Sequence, residues 1–340
     1  AIMIYPNFLK KGNNIDVPMP SASASDEIDR ARFINAKQKF ENLGFNINLS
    51  EHTFLCQKAR SAPAEERGAE FNKMLESDSR AILCGAGGEF LVEMLDYIDF
   101  DIIKNNPKWI EGFSDPTGIL FPITTKYDIA TIYGNNFKSF GAEEWDISLQ
   151  KNIEILTGKT LSENSYELYE GERKERITGL EGYNLTDKVE WKTLDKSSEL
   201  NIKGRVIAGC LDVISVLAGT KYDGMHDFSK RYKEDGNIII FDNCELSKEA
   251  LIRELWKLNE MEYFKYTKCV IFGRNGEEKS YIYESMEDCL KDSVLNKLNI
   301  PIIYDADISH KGPSLSIING SIMSLKYKDG KAQIEFELKK

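Results

Sequence analysis

Histidine is scarce in this 340-residue chain: His52, His226 and His310 are the only three, they lie far apart, and no H-E-x-x-H or paired-ligand spacing occurs. A zinc site built on local sequence is therefore disfavoured. The six cysteines (Cys56, Cys84, Cys210, Cys244, Cys269 and Cys289) stand singly, without a C-x-x-C and mostly among apolar residues. That usage suits reduced, buried thiols in a cytoplasmic protein and not a disulfide framework. There is no Lys/Arg-rich run, and 44 Lys and Arg against 55 Asp and Glu leave a net charge of −11. Nucleic acid and anionic membrane surfaces are poor partners for such a chain. No apolar run approaches the ~18 residues needed to span a bilayer, and the opening AIMIYPNFLKKG has no long apolar stretch followed by a cleavage site. A dinucleotide fingerprint is missing too: Gly85, Gly87 and Gly88 are followed by Phe90 and Leu91 where the last glycine would fall. No cofactor or metal is expected.

What is present is an ordinary globular composition, 41% hydrophobic and 29% charged, over a length that favours two domains. Residues 1 to about 160 alternate strand-like and helix-like segments. Ile28, Phe33, Ala36, Phe40 and Leu43 recur at helical spacing and stop at Gly44, and RAILC (80–84) is a short apolar strand running into a glycine turn. GEFLVEMLDYID (88–99) is expected to be a helix. Strands alternating with helices imply an α/β fold with a parallel sheet, whose active site lies at the carboxyl ends of the strands. Residues 161–200 break the period; the stretch reads as a linker with an excursion over the surface, carrying Tyr166, Tyr169, Tyr183 and Trp191. Residues 201–340 read as a second, mixed domain richer in β-structure, ending in a meander with a Lys-Asp-Gly turn.

Two strand ends carry chemical interest. At Gly85–Gly88 a glycine turn offers bare backbone N–H groups to an anion or oxyanion, or is a plain strand-to-helix turn. At 105–127 the segment NNPKWIEGFSDPTGILFPITTKY reads as a buried strand turning sharply into a helix with Ser114 at the corner. This is the pattern of a nucleophile elbow, with the amide of Asp115 a ready oxyanion donor. The match to G-x-S-x-G is incomplete, because Gly112 precedes Ser114 by two but Pro116 follows it by two. Ser and Asp are also the commonest helix caps, and on local sequence alone the cap is the preferred reading.

A nucleophilic serine needs a base and an orienting acid. His310 follows the strand IPIIYDADIS, as a loop-borne catalytic group would, and NIIIFDNCE ends in the candidate acids Asp242 and Glu245. A thiol nucleophile at Cys84 is an outsider, since the apolar run before it favours a buried, inert side chain.

The order of these pieces resembles the LD-carboxypeptidase and microcin self-immunity family of serine peptidases: Gly87-Gly88, G-F-S-D at 112–115, G-C-L-D-V and L-A-G-T within 209–220, a strand ending at Asp242, and a strand leading to His310. The resemblance spans essentially the whole chain. Tyr133-Gly134-Asn135 stands where the murein-directed branch has His-Gly-Pro, which points to the microcin-immunity branch. The resemblance implies a two-domain Ser–His–Glu hydrolase. Ser114 would be the nucleophile, His310 the general base, and Asp115 with Gly87 or Gly88 the oxyanion donors. It implies a small peptide or aminoacyl-nucleotide substrate and a homodimer. The family's glutamate falls on Asp242, one methylene shorter, so either that carboxylate still reaches His310 or Glu245 takes the role. Trp191 is the first choice for stacking on a nucleotide base.

Overall fold

A computed structural model describes residues 1–340. The strands in chain order are β1 (Asn14–Val17), β2 (Asn46–Leu49), β3 (Ala81–Leu83), β4 (Trp109–Gly112), β5 (Thr131–Tyr133), β6 (Ser162–Asn164), β7 (Leu168–Tyr169), β8 (Asp187–Lys188), β9 (Lys192–Thr193), β10 (Glu199–Cys210), β11 (Asn237–Asp242), β12 (Thr267–Gly273), β13 (Ile302–Ala306), β14 (Ile317–Asn319), β15 (Ile322–Lys328) and β16 (Lys331–Glu337). Six helices bear on the account: α1 (Glu27–Asn42), α2 (Ala64–Glu76), α3 (Asp101–Asn105), α4 (Thr117–Tyr127), α5 (Ile147–Leu156) and α6 (Leu211–Leu217).

The first sheet has the order β14-β5-β4-β3-β1-β2; β1 to β5 are parallel, and β14 joins β5 antiparallel. Its helices form for the reasons the sequence suggests. Asp26 accepts a hydrogen bond from the Asp29 amide to start α1, whose Phe33, Ala36 and Phe40 are buried, and α2 buries Phe71, Met74 and Leu75. The segment expected to be an α-helix at 88–99 is instead a 3₁₀ turn, Leu91–Tyr97. Its first amide is taken by the Asp115 carboxylate, and its end is crowded by Gly68 of α2, where an added Cβ would lie 2.4 Å from Tyr97 Cβ.

The second sheet is mixed, in the order β6-β16-β15-β10-β11-β12-β13-β9, with β10 to β13 parallel. Residues 161–200 are more than a connection, since β6 and β9 close the two edges of this sheet. The sheets are stitched at the middle of the molecule. The amide of Ala208 on β10 donates to Asn319 Oδ1 at the end of β14 at 2.8 Å, and the Cys210 amide donates to Thr117 Oγ1 at the start of α4 at 3.0 Å. The carboxyl ends of β3, β4 and β11 and the loop after β13 meet there.

No helix is long and apolar enough to cross a membrane.

Candidate active site

Ser114 sits between β4 and α4 with φ +70°, a left-handed conformation that costs a non-glycine residue about 1–3 kcal/mol unless its surroundings enforce it. The enforcement is visible. Asn136 clamps the preceding residue from both sides, accepting from the Phe113 amide at 2.9 Å and donating to its carbonyl at 3.0 Å. The Ser114 amide donates to the Tyr133 hydroxyl at 3.0 Å. Helix α4 begins immediately behind, with Thr117 N–H donating to the Ser114 carbonyl at 2.9 Å. Glycine is required two residues before the serine because Pro116 occupies the other side of the bend: a Cβ on Gly112 would lie 2.4 Å from Pro116 Cβ. The missing second glycine of the elbow pattern is thus offset by the first.

The cap reading of Ser114 fails on this geometry. No side chain caps α4, and the Ser114 hydroxyl instead lies 2.8 Å from His310 Nε2. On the far side of the ring, His310 Nδ1 is 3.1 Å from Asp242 Oδ1 and 3.0 Å from Oδ2. The shorter aspartate therefore reaches the imidazole. Asp242 ends β11 and is fully buried. Glu245, three residues on, is exposed and its carboxylate makes no bond to His310; only its backbone amide is engaged, donating to Asp212 at 2.9 Å.

Burial pulls the His310 pKa down, but the Asp242 carboxylate and its hydrogen bond outweigh this and hold it well above the usual histidine value. Asp242 also accepts from the Tyr133 hydroxyl at 2.7 Å, so Tyr133 ties Asp242 to the Ser114 backbone. Burial and the neighbouring Asp242 push the Tyr133 phenol far up, which keeps it a donor. The sequence marks Tyr133 only as part of Tyr133-Gly134-Asn135; its place at the carboxyl end of a strand beside the elbow is the signal that points to it.

The donors expected for an oxyanion lie close. β3 and β4 are neighbours, which brings the glycine turn after β3 against Ser114: a Cβ on Gly87 would be 3.3 Å from Ser114 Cβ and 3.5 Å from Oγ. Gly88 has φ +151°, and a side chain there would strike Ser21 Oγ at 2.3 Å. The amides of Gly87, Gly88 and Asp115 make no hydrogen bond within the chain. The Asp115 side chain points away, accepting from Ser21 Oγ and the Leu91 amide, and burial pushes its carboxyl pKa up.

Trp191 is not where a base-stacking residue would need to be. It is 1% exposed, and its indole N–H donates to Asp307 at 3.0 Å. Asp307 is fully buried and needs that donor, together with the Tyr166 amide and the guanidinium of Arg274. Arg274 in turn donates to the carbonyls of Lys311 and Pro313, at 2.7 and 3.2 Å, which fixes the loop carrying His310. The aromatic of this stretch that does reach that loop is Tyr183, whose hydroxyl would lie 2.7 Å from a Cβ on Gly312. Cys84 is fully buried, and burial raises its thiol far above the ordinary value, leaving no nucleophile there.

A cavity of about 290 Å³ opens on Ser114 and is walled by Val92, Val213 and Val216. A larger one, about 590 Å³, lies under the 170–185 segment with Arg32, Trp145 and Tyr183 in its lining; it touches none of Ser114, His310 and Asp242.

Residues 15–134 match the LD-carboxypeptidase N-terminal domain and residues 203–325 the LD-carboxypeptidase C-terminal domain. The chain belongs to the LD-carboxypeptidase family of peptidases. Among its relatives is the microcin C7 self-immunity protein MccF of Escherichia coli, 27% identical over 87% of this chain and 86% of that protein. YocD of Bacillus subtilis, which carries a carboxypeptidase name, is 24% identical over 97% and 98%. The fold is shared with a mutant MccF solved with adenosine monophosphate (TM-score 0.83, 23% identity, covering 99% of this chain and 100% of that one). An MccF-like protein from Bacillus anthracis superposes as well (TM-score 0.82, 24% identity, 98% and 100%). MccF has also been solved with aspartyl sulfamoyl adenosine and with glutamyl sulfamoyl guanosine.

Proposed function

We propose that this family member is a serine peptidase that hydrolyses an amide at the carboxy-terminal end of a small substrate, and that its substrates are aminoacyl- or peptidyl-nucleotides of the microcin type. The observation that carries the reading is the unbroken chain from Ser114 Oγ to His310 Nε2, 2.8 Å, and from His310 Nδ1 to Asp242, 3.0 Å. In this reading His310 takes the Ser114 proton at Nε2 as Oγ attacks the substrate carbonyl. The free amides of Asp115 and of Gly87 or Gly88 receive the developing oxyanion. His310 then returns the proton to the leaving nitrogen, and water releases the acyl group from Ser114 by the same steps in reverse. Asp242 holds the imidazole in position and stabilises its charge. The nucleotide half of the substrate is supported by the ligands of the MccF structures.

A second reading, release of D-alanine from a murein tetrapeptide, is favoured by the carboxypeptidase names among the relatives. The two separate on incubation of the protein with an aminoacyl-sulfamoyl adenosine and, in parallel, a murein tetrapeptide, with products read by mass spectrometry beside Ser114→Ala. Cleavage of the adenosine compound alone, lost in the variant, is the expected result. D-alanine release alone moves the chain to the murein reaction, and cleavage of neither rejects both.

The same reading places the protein in the cytoplasm as a homodimer. All six cysteines are free, which supports a reducing compartment, and sedimentation of the purified protein measures the assembly directly.

A further inference from the structure

We propose that Cys210, Asp242 and His310 form a binding site for a thiophilic divalent metal ion, zinc being the best fit, and that an ion held there switches the hydrolysis off. The switch rests on the peptidase reading above; the site itself does not.

The fold brings the three side chains together from distant parts of the chain. Cys210 and Asp242 are partners in register at the ends of the neighbouring parallel strands β10 and β11, and His310 comes from the loop after β13. A thiol sulfur, a carboxylate oxygen and a ring nitrogen consequently lie within 4.8 Å of one another. His310 Nδ1 is 3.0 Å from Asp242 Oδ2. Zinc bonds of about 2.0–2.2 Å to nitrogen and oxygen and about 2.3 Å to sulfur set tetrahedral ligands about 3.3–3.6 Å apart, so nitrogen and oxygen stand near that spacing and the sulfur has roughly 1 Å to close.

Two of the ligands are supported from behind. Asp242 accepts from the Tyr133 hydroxyl at 2.7 Å, and the Cys210 thiol donates to Asp212 Oδ1 at 3.4 Å. Asp212 is itself anchored by the Cys244 and Glu245 amides at 2.8 and 2.9 Å. The way in is the cleft of about 290 Å³ beside Ser114, whose lining includes both Cys210 and Cys244. Its charged lining residues are Glu89, Asp115, Asp212 and Glu245, with no Lys or Arg, which favours a cation. Lys279 acts on Glu245 and Cys244 from outside the cleft but pairs with Glu277 at 2.8 Å.

A thiolate beside an imidazole selects zinc over magnesium and calcium, which prefer oxygen ligands. Without a metal the Cys210 thiol keeps its proton, because burial and then Asp242 and Asp212 push its pKa far up; a bound ion supplies the charge that lets it ionise. Binding expels the thiol proton and occupies Nδ1, so the one proton left on the ring is on Nε2. That is the atom 2.8 Å from Ser114 Oγ that must accept the serine proton. With it already protonated, the base is lost.

Zinc chloride is titrated into the Ser114→Ala protein by calorimetry, and into the unaltered protein during turnover of whichever of the two substrates above it cleaves. Cobalt(II) is added separately and read by its thiolate-to-metal charge-transfer absorption. The expected results are saturable zinc binding that is about 10–100-fold weaker or absent in Cys210→Ser, inhibition that follows that binding and is reversed by EDTA, no inhibition by magnesium, and a charge-transfer band missing from Cys210→Ser. Cys56→Ser, which changes the exposed thiol, should alter none of these. Zinc bound or inhibiting as strongly in Cys210→Ser, or binding without inhibition, overturns the proposal. So does a cobalt complex of the unaltered protein without the thiolate band, a result that stands even if Cys210→Ser fails to fold. Zinc binding with the band, in a protein that cleaves neither substrate even with EDTA present, keeps the metal site and rejects the hydrolase reading together with the switch.

Discussion

The two halves of the Ser114–His310–Asp242 chain are held in different ways. On the first sheet Ser114 is fixed by its own backbone: φ +70°, the Asn136 clamp on Phe113, and the contact that leaves no room for a side chain on Gly112. On the second sheet the histidine is fixed by buried charge: Asp242 on the ring, and the Arg274–Asp307 pair behind the loop that follows it. Beside the Ser114–His310 contact itself, the Tyr133 side chain bonds to both halves. A backbone constraint fails through crowding, whereas a charge network fails through an unpaired group, so the two halves should respond differently to substitution.

The largest effect is expected at Ser114. Ser114→Ala should reduce turnover by about 10⁶-fold while leaving the fold and ligand binding in place; a rate within tenfold of the parent removes Ser114 from the chemistry. Asp242→Asn comes next, with a loss of about 10³–10⁴-fold in kcat, because the imidazole loses its orientation. It should also move the pH profile. With Asp242 present, His310 keeps its proton to a pH above the ordinary histidine value, so a rate that needs neutral imidazole rises through a pKa higher than about 6.5. With the carboxylate gone, burial is opposed only by the smaller influence of Cys244, and the rising limb should shift to lower pH. If Glu245→Gln costs more in kcat than Asp242→Asn, the acid is Glu245.

On the stability side, Asp307→Asn leaves Arg274 buried without its countercharge, and a cost of about 3–5 kcal/mol in chemical denaturation is expected. Gly112→Ala should cost less, about 1–3 kcal/mol from overpacking against Pro116, with activity lost alongside because the elbow itself moves. The smallest effect is that of Tyr133→Phe, which deletes one hydroxyl between two partners; about 1 kcal/mol of stability and a moderate fall in kcat are expected. Were Tyr133→Phe to match Asp242→Asn in kcat, the hydroxyl would be acting on the chemistry and not only joining the halves.

The same contrast governs what could be read from the sequence. The elbow is local, so Trp109 to Pro116 announced a strand, a bend and a helix start, though not whether the serine capped the helix or left it. The alternation of strands and helices likewise gave the parallel first sheet. His310 and Asp242 lie 68 positions apart and Ser114 another 128 before Asp242, and their meeting depends on β4, β11 and the loop after β13 ending at one place. Only the order of motifs along the chain hinted at it. Buried charge left no local trace: Arg274 and Asp307 look like surface residues in sequence, and Trp191, which satisfies Asp307, looks like a free aromatic in a long polar stretch. Its burial follows from β9 closing the edge of the second sheet beside it.

The account turns on Ser114 being the atom that is acylated, and covalent labelling with a fluorophosphonate followed by peptide mapping tests this most directly. The expected result is a single adduct on Ser114, absent from Ser114→Ala and formed far more slowly in Asp242→Asn. An adduct on another residue, or labelling of Ser114 at the same rate without Asp242, would contradict it.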